Sequence, residues 1–577
     1  VLITSRSAVF ARVVLLPLLL VLAVVLGLGS YFETSDDGTL AWLFSGVLAS
    51  RPVVSVPLYL HGYGHLLAAA YAVAPAVPWL GLLLAALLAG ATALWFAVLE
   101  RLLRPWLRPG WLTLALALFF GLAWLEHWLW FSHARVALLL AAGGVLFAAQ
   151  RPGRRGPLLL ALGALLAAWL VRPGLAGLAY GAVWPAVLLL AGSWRRAAPL
   201  LLSTGLLLSL AFGLAALNQT PAEARVQVRD ARLARILDYE QLRPHPRTPA
   251  DSLGTAAIGL WLLGDSTVVD PVLRGTVYRF EAADFWARVV PAKLVLRAGL
   301  LVRDYFPLLL GLLATAGAMV RRPGTRARGF WPVQLGFAAG LVALAGVLKL
   351  PPRLALPLLD CWLLTNLIFW LQTLLPAAAA STDIGDRAAP PFRRAGPEAG
   401  FFGTNLQPLG RFLIYGSLIA VVSLYTAKTW HRHQVLQRER YRHESALAAV
   451  SYRAGRVRVL AGPNDWLKSL SPFRAYSPGP GSVLLLSGWP AHDASQAHLR
   501  RALTGTPDQT ECLRHLARRV APAAEVVWLL TPETAQWLNR RSRCDGPGLQ
   551  LVPETLPPPD GSGFLPREYR ALTSCKP

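Results

Sequence analysis

Lysine is nearly absent from this 577-residue chain: only five of its 56 basic residues are Lys, and the others are Arg. Methionine occurs once and cysteine four times. Charged residues make up 15% of the chain against 55% hydrophobic ones, and the mean hydropathy is +0.45. So little charge among so many apolar residues excludes an ordinary soluble domain and fits a polytopic membrane protein. The cysteines show no Cys-x-x-Cys and no Cys/His ligand spacing, which argues against a structural zinc site. Cys361 falls in an apolar run. Cys512, Cys544 and Cys575 lie in the tail, where one disulfide fits if the tail faces an oxidising space. Gly-x-Gly-x-x-Gly, P-loop and internal repeats are all missing, so no nucleotide site is expected. The net charge of +25 would suit nucleic acid, but the Arg residues sit largely in short loops between apolar runs. Loops of that kind are where membrane topology places positive charge, so nucleic acid is not an expected partner.

Apolar runs near 9–31, 78–98, 111–128, 134–149, 157–171, 174–192, 198–217, 300–320, 330–349, 354–376 and 410–428 predict about eleven transmembrane helices. With the N-terminus inside, the cytoplasmic loops collect Arg6 and Arg12, Arg101 to Arg108, Arg151 to Arg155, Arg195 and Arg196, Arg321 to Arg328, and Arg387 to Arg411. The short outer loops hold Arg51, Arg135, Arg172, Lys349 and Arg353. That asymmetry orients the chain. Three pieces then lie outside: a first loop at 32–77, a polar loop at 218–299 and the tail. Residues 1–428 form the transmembrane part. The tail, 429–577, leaves the membrane as an Arg- and His-rich helix over 429–441. It continues as a small α/β domain with strands near 456–460, 482–486, 525–530 and 549–552, and helices near 498–503 and 510–520.

The chemistry concentrates in the first outer loop. Glu33-Thr34-Ser35-Asp36-Asp37 follows directly on the first apolar helix. A carboxylate near hydrocarbon costs about 2–3 kcal/mol on insertion scales, so acids placed there call for a function. Helix capping by Ser35 or Asp36 accounts for one acid but not for all three. A carboxylate beside a reacting centre can take the proton of an acceptor hydroxyl. Asp36 and Asp37 are therefore the candidate catalytic pair, with Asp36 the first choice as base and Glu33 a candidate substrate contact. Tyr59, His61 and His65, in Tyr-Leu-His-Gly-Tyr-Gly-His, can meet a phosphate or sugar, or anchor at the headgroup layer. Arg135 and Arg172 lie at outer helix ends against the charge bias. Their guanidinium groups suit phosphate oxygens, although snorkelling accounts for them as well. In the 218–299 loop, Asp238, Tyr239, Asp265 and Asp270 are candidate sugar contacts. A divalent cation is left open, since an acidic pair suits metal-free and metal-assisted chemistry alike.

The segments YFETSDDGTLAWLFSG and YLHGYGHLLAAAYAVAPAVPWLGLLLAALLAG resemble bacterial polytopic transferases of the GT-C superfamily, in a branch whose first outer loop carries Glu-x-x-Asp-Asp. The later ARLARILDYEQL and GDSTVVD are similar to segments of that branch. The resemblance covers the N-terminal third well and the central bundle loosely, and it does not reach the C-terminal domain. It implies a bundle of about eleven to thirteen helices, with catalytic acids at Asp36 and Asp37. It also implies a donor sugar carried on polyprenyl phosphate rather than on a nucleotide. The expected protein is a glycosyltransferase of a bacterial cytoplasmic (inner) membrane, inverting, passing a sugar at the outer face to a glycan, lipid or protein acceptor. A transporter or flippase of lipid-linked saccharides, and a polysaccharide polymerase or ligase, are the alternatives.

Overall fold

Proline opens several of the long helices. Pro109, Pro173 and Pro352 each stand in the first turn of a helix, where the missing N–H has no intrahelical partner to lose. The computed structural model describes residues 2–56, 62–321, 329–374, 408–451, 457–462, 467–476, 483–518, 526–543, 548–553 and 567–574. It is mostly helical, with a small sheet near the C-terminus.

Seven helices among the described residues have the length and composition to cross a membrane: Arg6–Gly27, Trp79–Leu103, Pro109–Leu129, Pro173–Ala191, Trp194–Leu217, Ala282–Arg321 and Pro352–Thr373. The other expected spans also fall on helices. His133–Ala149, Arg155–Val171 and Phe330–Gly346 have 17 residues each, about 25 Å of rise against a hydrocarbon core of about 30 Å. The run 410–428 belongs to a single 44-residue helix, Pro408–Ser451. The figure of about eleven thus exceeds what length and apolarity alone support.

His133–Ala149 is the centre of the bundle: every one of its residues except Phe147 is buried. Small residues make this tight packing work. A Cβ on Gly143 would stand 2.8 Å from Trp95 Cδ1, and one on Gly144 would stand 2.6 Å from Ala164 Cβ. The helix Val290–Arg321 starts well before the expected limit of the polar loop at 299, and its backbone leaves helical geometry at Tyr305, two residues before Pro307.

Two short pairs, β1 (Tyr31–Phe32) with β2 (Trp130–Phe131) and β3 (Leu242–Pro244) with β4 (Tyr278–Phe280), precede a five-stranded sheet in the tail, built from β5 (Val457–Ala461), β6 (Val483–Leu485), β7 (Val526–Leu530), β8 (Gly548–Pro553) and β9 (Arg567–Ser574). The strand order is β6-β5-β7-β9-β8. β5 pairs in parallel with β6 and β7, whereas β9 runs antiparallel to β7 and β8. Four strands and two helices lie within a few residues of their expected places. Strand β9 and the helix Pro532–Arg543 were not expected. Cys361 and Cys512 are buried, and Cys544 and Cys575 lie outside the described residues.

The polar loop and the tail are not separate bodies. Leu233, Ile236, Leu262 and Val277 share one hydrophobic cluster with Val459, Leu484, Trp528 and Leu551. Trp537 Nε1 donates to the Leu253 carbonyl at 3.0 Å, across 284 residues of sequence. The same end of the bundle receives the first loop. Phe32 N donates to Leu470 O and Ser469 N to Phe32 O, both at 2.9 Å, and Gln496 Nε2 donates to Leu48 O at 2.5 Å. At the other end of the first helix, Arg12 pairs with Glu100 at 2.9 Å.

The helix packing gives a direct test. Gly144→Ala should destabilise the solubilised protein by about 1–3 kcal/mol through overpacking. Combining it with Ala164→Gly should recover most of the loss, while Gly90→Ala, whose Cβ would meet nothing within 4 Å, should not destabilise. Thermal unfolding in one detergent measures all three.

Candidate active site

The first loop is pinned before it presents any chemistry. Tyr31–Phe32 pairs in parallel with Trp130–Phe131, and Glu33 N donates to Phe131 O at 2.8 Å. Ser30 Oγ adds a 2.6 Å bond to Trp128 O. Two strands of two residues are too short to hold alone, and side chains complete the joint. Glu33 Oε2 accepts from Arg135 Nε at 2.7 Å, with both residues buried. Asp37 is fully buried. Its Oδ1 accepts from the amide of His133 at 3.0 Å and from His133 Nδ1 at 2.6 Å, and its Oδ2 accepts from Thr34 Oγ1 at 3.1 Å. The carboxylate therefore sits at the N-terminus of its own helix, Ser35–Phe44, and caps His133–Ala149, at the positive ends of both. Burial alone would raise the Asp37 carboxyl, but the charge and hydrogen bonds of His133, with a smaller effect from Arg353, bring it below the usual range.

Asp36, one residue away, points elsewhere. Its side chain is 33% exposed, and Arg353, at the start of Pro352–Thr373, approaches it to 3.9 Å. Asp36 lines a cleft where the first loop, the polar segment and the tail meet. The first loop contributes Asp36, Thr39, Leu40 and Leu43. The helix Pro221–Leu237 contributes Arg229 and Asp230, and the turn after β6 contributes Trp489, His492 and Asp493.

Several other expected contacts have different placements. Glu33 and Arg135 hold each other, so neither is offered to a sugar or a phosphate. Asp265 is buried, accepting from Thr267 Oγ1 and Thr510 Oγ1 at 2.6 Å each, and Asp270 accepts from the Leu273 amide at 2.6 Å. Both acids brace the shared extramembrane core instead of facing the cleft. Asp238 pairs with Lys349 at 2.6 Å, and Tyr239 lies within electrostatic reach of Asp238 and Arg172. Lys293 Nζ donates to Tyr239 O at 2.9 Å, which gathers Lys293, Lys349 and Arg172 about Asp238 and Tyr239. His65 is exposed on the helix Gly64–Val73, while Tyr59 and His61 lie outside the described residues. Among the described residues no group of three or more His, Cys, Asp or Glu is placed to hold a metal.

Arg229, Asp230, Trp489, His492, Asp493 and Arg353 were not expected in the site. One signal was available for part of it. Trp489-Pro490-Ala491-His492-Asp493 follows the carboxyl end of a parallel strand, where open α/β sheets place their ligands.

Compared with known proteins, the chain matches no family, no curated sequence and no solved structure.

Asp37→Asn should destabilise the protein at neutral pH by about 3 kcal/mol, the loss expected when a buried ionic contact loses one partner. A carboxyl depressed in the folded state stabilises above its unfolded pKa, near 4, and that contribution fades as pH falls through the folded value. The gap between wild type and Asp37→Asn should therefore be full at pH 7 and shrink below about pH 4. Denaturant unfolding across pH 3 to 7, with the groups titrating near 4 otherwise unchanged, measures it.

Proposed function

We propose that this protein is a membrane glycosyltransferase of GT-C type, in which Asp36 is the base. The observation that carries this reading is the split between two neighbouring acids: Asp37 is buried as a clamp, while Asp36 faces a cleft with Arg353 beside it. In the proposed reaction a donor sugar linked to polyprenyl phosphate and an acceptor hydroxyl meet in the cleft. The Asp36 carboxylate takes the hydroxyl proton as that oxygen bonds to the anomeric carbon. The bond from the anomeric carbon to the phosphate oxygen breaks, and the lipid phosphate departs with the electron pair, with inversion at the sugar. Arg353 is positioned to offset the phosphate charge. The Arg172, Lys293 and Lys349 group is a second place for an anionic headgroup.

The proposed topology has eleven spans, with the N-terminus in the cytoplasm and the cleft on the outer face of a bacterial inner membrane. The bias of basic residues supports it. So does the gathering of first loop, polar segment and tail at one end of the bundle.

A transporter of lipid-linked saccharides is the second reading, because ionisable groups are buried among the helices. Glu126 Oε2 accepts from Arg432 at 2.7 Å and Glu126 also meets Lys428. Arg432 reaches Asp304 at 2.9 Å, and His127 Nε2 pairs with Asp360 at 2.8 Å. Buried charges of this kind mark conduction paths in many membrane proteins. Here these contacts link helices to one another, and the solvent-facing cleft lies at Asp36, which favours the transferase.

Sugar transfer from a labelled polyprenyl-phosphate sugar should fall about 10²- to 10⁴-fold in Asp36→Asn, the usual worth of a general base. The melting temperature should stay near that of wild type, because Asp36 is partly exposed and makes one long ion pair. Full activity in Asp36→Asn would sink the assignment. Movement of the labelled donor across liposomes without any product would favour the transporter.

A further inference from the structure

The wall of the cleft opposite Asp36 comes from residues that no part of the reaction above requires. Trp489 and His492 stand on the turn Trp489–His492, entered through Gly488 at φ +82°, just beyond the carboxyl end of β6. Trp489 is partly exposed and packs edge-on against two rings, 6.0 Å from Trp261 at 74° and 5.8 Å from His492 at 75°. A rigid, partly exposed indole in a cleft offers a flat apolar face at little entropic cost.

Beside it, polar groups are fixed in place. Asp230 Oδ1 accepts from His492 Nε2 at 3.0 Å and from Arg229 Nε at 3.0 Å. Arg229 NH1 also donates to the His492 carbonyl at 3.3 Å. Asp230 Oδ2 takes no hydrogen bond among the described residues and is not one of the buried unpartnered atoms, so it is open to a ligand. The His492 side chain is only 7% exposed, yet its Nδ1 has no partner. Burial, ahead of the opposing pull of Asp230, lowers the His492 pKa, so the ring is neutral at pH 7 and its Nε2–H donates to the carboxylate. Asp493 Oδ1 accepts from the Ser495 amide at 2.8 Å and also lines the cleft.

An aromatic face beside a braced carboxylate and a guanidinium suits a molecule with C–H groups on one face and hydroxyls around its edge. That describes a pyranose or furanose ring. On this wall Asp230 and Asp493 stand against Arg229 alone, so it carries no surplus of positive charge to attract an anionic saccharide. We infer that the wall formed by Trp489, Asp230 and His492 is the acceptor subsite, and that it takes an uncharged saccharide. The tail domain thereby supplies half of the site, with Trp489 and Asp230 as binding residues and His492 as the positioning residue that aims Asp230. This inference rests on the transferase reading for the word acceptor, but the binding itself does not.

The test uses the full chain in lipid nanodiscs, since maltoside detergents carry a saccharide headgroup of their own. Saturation-transfer NMR and calorimetry would be run with gluco-, manno- and galacto-trisaccharides, and with a hexuronic-acid trisaccharide as the charged control. At least one neutral trisaccharide should bind, with affinity reduced about tenfold or more by Trp489→Ala and by Asp230→Asn. Trp489→Phe should keep most of the affinity, which separates loss of the ring from misfolding. In the transfer assay, Trp489→Ala should raise the acceptor KM and leave kcat nearly unchanged. The inference is overturned if no neutral trisaccharide binds, if neither Trp489→Ala nor Asp230→Asn weakens binding, or if the uronic-acid sugar binds more tightly. Saccharide binding without any transfer would count against the transferase and leave the subsite standing.

Discussion

The carboxylate of Asp37, buried on the N-terminus of the central helix, is the contact on which the arrangement of the site depends. It joins the first loop to the start of His133–Ala149 through one backbone and one side-chain bond. Glu33 and Arg135, both buried, tie the same loop to the same helix a second time. With both ties in place, Asp36, which lies between them in sequence, faces the cleft. A buried ion pair contributes little net stability compared with apolar packing, but breaking one partner is costly. Such pairs fix geometry more than they add energy. Here the fixed geometry is the direction of a neighbouring carboxylate.

The same logic extends into the bundle. Glu126 collects Tyr425, Lys428 and Arg432 from the long C-terminal helix, and Arg432 continues to Asp304, next to the backbone break at Tyr305. His127 carries the network to Asp360. Helices distant in sequence are thus held in one register near the end of the bundle that bears the cleft. The helix Pro408–Ser451 then runs on toward the sheet. The chain that anchors the bundle is therefore the chain that delivers Trp489 and His492 to the cleft.

Much of this was legible in the sequence, for reasons of scale. Apolar runs of about twenty residues locate helices because the bilayer demands that length, and short β-rich runs located four of the five strands. Strand β9 escaped notice because Arg567–Ser574 mixes charged and apolar residues, and its apolar positions gain meaning only against β7 and β8. The prominence of the first-loop acids was also readable, but the division of labour between them was not. Adjacent acids look alike until a third residue claims one, and His133 lies 96 residues from Asp37. Arg135 looked like a phosphate ligand because an outer arginine is unusual, and its actual partner, Glu33, sits 102 residues away. Asp230 and His492 are separated by 262 residues, and only the core shared by the polar segment and the tail brings them together. Long-range pairing of this kind leaves no local pattern to read.

The most direct test of the central claim is a cryo-EM structure of the protein in nanodiscs with a non-hydrolysable polyprenyl-phosphate sugar analogue. The sugar should lie in the cleft with its anomeric carbon facing Asp36, its phosphate toward Arg353, and room for an acceptor hydroxyl about 3 Å from the Asp36 carboxylate. Asp37 should remain on His133, untouched by the ligand. A sugar bound instead among the Glu126, Arg432 and Asp360 groups inside the bundle, with the cleft empty, would contradict the account and point to passage across the membrane.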